Sequence, residues 1–121
     1  MNHILESIKK LLGLSVEDES FDTDIILHIN SVFMILTQIG VGPAEGYFIT
    51  GDTNLWSEFI PEGARLEAVK SYVYLKVKTL FDPPLSSAVA ESMNRMISEF
   101  EWRLSVAVDP APVVIEGEVR A

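Results

Sequence analysis

The sequence predicts a mainly all-α protein: a compact bundle of about four helices, a long 41–62 connection with room for a short hairpin, and an extended C-terminal arm. Three observations carry this. Apolar residues recur at spacings of three and four in four separate segments. Gly and Pro fall between those segments rather than inside them. Strand-like alternation of period two is confined to short stretches. The expected division is a helical domain over residues 1–104 and an arm, extended or flexible, over 105–121.

The first helix is expected over residues 4–12, where Ile4, Leu5, Ile8, Leu11 and Leu12 share a stripe and Gly13 is a stop. An acidic stretch follows, carrying Glu17, Asp18, Glu19, Asp22 and Asp24, with Asp and Thr residues suited to cap the next helix. That second helix, DIILHINSVFMILTQIG, has Ile25, Ile29, Val32, Leu36 and Ile39 on one face, flanked by Phe33. Leu27 and Met34 fall nearly opposite, beside Asn30 and Gln38, and so ask for a second place of burial.

GVGPAEG breaks the chain. Its third glycine is one residue late for a dinucleotide loop, and it follows a helix rather than a strand, so it reads as a cap and turn. YFIT with GDTN could make a short hairpin, and NLWSEFI, capped by Thr53, one or two helical turns that pack Trp56 and Phe59.

VKSYVYLKVKTLFDPP sets Tyr72, Tyr74, Lys76 and Lys78 in alternation with Val73, Leu75 and Val77, which suggests a strand. Read instead as a helix, Leu66, Val69, Val73, Val77 and Leu80 form a stripe, and no breaker interrupts residues 64–81. A strand of that length would be unusual, so the spacing predicts a helix. Pro83 excludes Asp82 from helical geometry, and neither Pro83 nor Pro84 has an N–H to continue the ladder, so the helix ends there.

Ser86 or Ser87 can cap a last helix whose stripe is Val89, Met93, Met96, Ile97, Phe100 and Leu104. Trp102 lies roughly opposite Phe100, beside Glu91, Arg95 and Ser98. Either a loop covers it or it anchors a partner. From Ser105 onward two prolines and a β-branched run replace the helical period, which suggests an arm that is free or adds a strand to something else.

The chain has 121 residues, 48% hydrophobic and 22% charged, as befits one globular domain. It has no Cys, so disulfides, thiolate metal sites and thiol nucleophiles are excluded and a reducing compartment is the simple reading. No apolar run approaches the ~20 residues of a membrane span, and MNHILESIKKLLGL is unlike a signal peptide. The net charge of −9 argues against a protein that grips phosphates, though not against one that lets DNA slide past.

Catalytic and metal patterns are missing too, and no cofactor is expected. His3 and His28 have no partner at ligand spacing. The acids at 17–24 lack the alternation and central Gly of a calcium loop. Glu99 and Glu101 straddle Phe100 and diverge on a helix, which makes a poor acid/base pair. No serine occupies a nucleophile elbow. The expectation is therefore a protein that is not an enzyme.

YVYLKVKTLFDPP and MNRMISEFEWRL, in this order after GYFITGDTNLWSEFI, resemble the head–tail connector (adaptor) proteins of long-tailed bacteriophages. The resemblance spans about residues 3–104, through the Lys-rich third helix ending in Phe81-Asp82-Pro83-Pro84, the Ser86-Ser87 restart and the run Glu99 to Arg103. It implies a structural virion protein of the neck, made in the bacterial host cytoplasm. In that family copies of the chain form a ring, of dodecamer type, below the portal protein. The ring extends the DNA channel and offers a platform to stopper or tail-completion proteins, with DNA as passive cargo and no membrane involved.

On this reading the candidate subunit or partner interface is Trp102, Leu27, Met34, Trp56 and Arg95, and the acids from Glu17 to Asp24 are a channel or solvent face. The alternative is a small helical protein-binding module of a bacterial regulatory complex, distinguished by a stable monomer or dimer in place of a ring.

Overall fold

The computed structural model describes residues 2–108. Four α-helices follow in order: α1 (Ile4–Leu11), α2 (Asp22–Gln38), α3 (Ala64–Phe81) and α4 (Ser87–Val108), with one 3-10 turn at Trp56–Glu58. Among the described residues there is no strand; the one β-type contact is an isolated antiparallel bridge between His3 and Leu55.

The stops expected of α1 and α3 are where the sequence puts them. After α1, Gly13 takes φ +85, its N–H donates to Lys10 O, and Leu14 N–H reaches back to Lys9 O. The left-handed residue lets both bonds form, closing the helix end as a Schellman motif. Gly40 (φ +91) repeats this after α2, with Val41 N–H on Leu36 O at 2.8 Å and both side chains buried. Asp82 ends α3 at φ −147, ψ 72, and its carboxylate accepts from Lys78 Nζ at 2.8 Å. Ser86 then caps α4, its Oγ accepting from Val89 N–H.

α3 is the central element. It packs against α2 and α4, with α1 against α2 and α3. It therefore buries two faces: Leu66, Val69, Val73 and Val77 as the spacing predicts, and also Tyr72 and Leu75. Opposite them lie Ile4, Leu5 and Ile8 of α1, Ile25, Ile29, Val32, Phe33 and Leu36 of α2, and Ile97 and Leu104 of α4.

Several expectations are corrected. The hairpin in the 41–62 connection does not form. Asn30 takes the place of a partner strand: its Oδ1 accepts from Ile49 N–H at 2.7 Å and its Nδ2 donates to Ile49 O at 3.0 Å. One side-chain amide thus satisfies both main-chain groups of a segment lying along α2. Phe21 rather than an Asp or Thr occupies the cap of α2, and Leu55 rather than Thr53 precedes the 3-10 turn. Leu80 is half exposed. Met93 and Phe100 are only partly buried. Finally, α4 continues through residues 105–108, where the arm was expected to have begun. The rest of that arm, 109–121, lies outside the described residues.

Candidate assembly surface

Besides Leu11 at the end of α1 and Leu80 near the end of α3, the outward faces of α2 and α4 carry large apolar residues that the core leaves out. On α2, Leu27 and Met34 are 63% and 62% exposed. They are seven residues apart, about 10 Å along the axis at 1.5 Å per residue. Ser31 lies between them, exposed and small, its hydroxyl turned onto Leu27 O.

The Asn30 clamp extends this surface. By fixing Ile49 inward, it aims its neighbour outward: Ile49 is buried and Phe48 is 65% exposed. Phe48 and Met34 line a shallow hollow with Asn30, Gln38, Glu45 and Tyr47. The alternation in YFIT did carry this signal, because inward Tyr47 and Ile49 leave Phe48 outside.

The inward side of that loop is an aromatic cluster. Tyr47, Trp56 and Phe59 gather around Phe33, with ring centroids 5.3, 6.2 and 4.6 Å from it. Tyr47 donates to Glu58 Oε1 at 2.7 Å. Burial first, then that carboxylate, pushes the Tyr47 phenol up, and the same hydrogen bond holds Glu58 below the usual carboxylate range. Gly42, at φ +89, lies where any Cβ would collide with the Phe59 ring, so this glycine serves packing rather than phosphate.

Trp56 must be withdrawn from the exposed candidates. It is 1% exposed, and its Nε1 donates to Ser7 Oγ at 2.8 Å. Its burial joins the connection to α1, a pairing forty-nine positions apart that local periodicity cannot reveal.

On α4 the outward side holds Trp102, 66% exposed, with Val106 one turn on and Arg95 two turns back. Arg95 is exposed and pairs with no carboxylate among the described residues, whereas Arg103 is bound to Glu99 at 2.7 Å.

The five acids separate into two kinds. Glu17, Asp18, Glu19 and Asp24 are exposed. The Ser15 hydroxyl keeps Glu17 low in pKa, and the Ser20 N–H does the same for Asp18. Asp22 departs from the expectation: its Oδ1 is buried 2.8 Å from Lys9 Nζ, an ion pair rather than a well-aligned hydrogen bond.

Lys9 is the residue that the sequence reading missed. It is 2% exposed and donates to Val16 O at 3.0 Å and Asp18 O at 2.7 Å. A buried ammonium needs such partners, and here they pull the acidic loop back onto α1. Its place one turn on from Leu5, at the edge of the apolar stripe of a short amphipathic helix, was the available hint.

These surfaces offer apolar contact and charge, with no cluster of three or more metal-ligating side chains among the described residues. No helix among them is long and apolar enough to cross a membrane. The family model described as "Phage connector protein" matches residues 4–111, most of the chain. No curated protein and no solved structure gives a significant match. The chain therefore belongs to the phage connector protein family, a structural rather than enzymatic family.

Proposed function

We propose that this connector-family chain is a structural component of the phage neck, assembling as a closed ring between the capsid portal and the stopper or tail-completion proteins. The observation that carries the reading is the set of large apolar side chains on outer helix faces, Leu27 and Met34 on α2 and Trp102 on α4, which no described part of the subunit covers. Met34 and Phe48 line one hollow, with Leu27 two turns away on the same helix, and adjoining exposed apolar groups of this kind mark contact surfaces. The ring is of dodecamer type and continues the portal channel.

The acidic balance suits a wall along which DNA passes as cargo. A chain with 18 acidic against 9 basic residues supplies few phosphate contacts and so does not retain the duplex. Exposed Glu17, Asp18, Glu19 and Asp24 are the residues assigned to that channel or solvent face.

Native mass spectrometry of the full chain, alone and with portal rings, tests the reading. A closed oligomer, or a monomer that becomes one on the portal, is the expected result. A stable dimer indifferent to portal would instead support a small regulatory binding module. A gel shift with duplex DNA that survives physiological salt would overturn the passive channel.

A further inference from the structure

The outer faces of α2 and α4 are different in character and stand on different helices, each packed on α3. A ring of identical chains requires such a pair, because a head-to-tail contact joins two unlike patches and leaves each subunit one of each kind. From these faces we infer that, between neighbouring copies, Trp102 of one copy seats between Leu27 and Met34 of the next, on the floor provided by Ser31. This assignment rests on the ring reading and deepens it.

Shape and charge both argue for this pairing. The seven-residue interval from Leu27 to Met34 leaves a gap of about 10 Å bounded by two flexible apolar walls. A small side chain lies at its centre, and a large planar one on a facing helix is the complementary shape. Helix α2 carries no Lys or Arg along its length, and its outer side bears exposed Asp24, with Glu45 beside Met34 and Phe48. The α4 face brings Arg95, which has no carboxylate partner among the described residues.

The register follows from the numbering. Arg95 precedes Trp102 by seven positions, and Asp24 precedes Ser31 by seven. With the two helices parallel, setting Trp102 over Ser31 therefore sets Arg95 against Asp24. The indole supplies apolar contact, and in the parallel orientation the Arg95–Asp24 ion pair accompanies it.

The chain has no Cys, so disulfide trapping can read this interface directly. Full-length Asp24→Cys and Arg95→Cys variants should each remain uncross-linked alone and give covalent dimers when mixed under mild oxidation. The double variant should give a ladder that ends at the ring. In parallel, Trp102→Ala should weaken assembly at least tenfold while its melting temperature stays within about a degree of the parent.

Self-cross-linking of either single variant would mean a two-fold contact and overturn the inference. So would rings that form without the mixed cross-link, in which case the ring reading itself survives. A Trp102→Ala chain that melts lower yet assembles normally would show that Trp102 is covered within its own subunit. A wild-type chain that never assembles, with or without portal, would remove the ring and this interface together.

Discussion

α2 and α4 flank the same central helix but are held to it differently. α2 buries Ile25, Ile29, Val32, Phe33 and Leu36 completely, and the 41–62 connection seals it further through Val41, Ile49, Trp56 and Phe59. Among the described residues α4 is the longest helix, yet the buried residues of its stripe are Ile97 and Leu104, while Val89 and Met96 remain nearly half exposed. The sealed side is where folding free energy concentrates. The open side keeps apolar area that the subunit itself does not use, and this is what a chain destined for assembly would retain.

The largest effect should come from breaking the sealed side. Trp56→Ala removes a fully buried indole from contact with Phe33 and from its hydrogen bond to Ser7, and should cost about 3–5 kcal/mol in a urea titration. A loss comparable to that at Phe100 would erase the contrast between the two sides.

Next comes Lys9→Met, which keeps the buried stem but strands Val16 O, Asp18 O and the Asp22 carboxylate. The expected loss is about 2–3 kcal/mol, because Asp22 retains some solvent access. Amide exchange should quicken across residues 15–22 before it does in α3.

Phe100→Ala tests the open side. Full burial would imply about 3–5 kcal/mol, but the ring is only partly covered, so about 1–2 kcal/mol is expected. A larger value would mean that α4 is covered more completely than its exposed Met96 indicates.

The smallest effect should follow Tyr72→Phe, the one change that cuts a polar tie between α3 and α4. Tyr72 donates to Glu101 Oε2 at 2.7 Å, and losing that bond should cost about 1 kcal/mol. Burial first, then Glu101, pushes the Tyr72 phenol above its ordinary value of 10.0. The folded state therefore keeps a proton that the unfolded chain releases, so stability is complete below pH 10 and falls as pH rises beyond it. Tyr47 acts in the same direction, so Tyr72→Phe should reduce the alkaline slope without abolishing it.

What the sequence determined by itself is local. The residues of α3 from Ala64 to Phe81, the stop at Asp82, the glycine terminations and the outward aim of Leu27, Met34 and Trp102 all follow from helical period and from what Gly and Pro permit. Only tertiary structure could decide which of the remaining groups would be covered. Trp56 became core because α1 and α2 meet over it, Lys9 was buried because the 15–22 loop folds back around it, and Asn30 replaced a hairpin partner because the connection passes within its reach. Period fixes the direction of a side chain on its own element. Burial depends on what arrives from elsewhere in the chain, and that arrival has no local spacing to read.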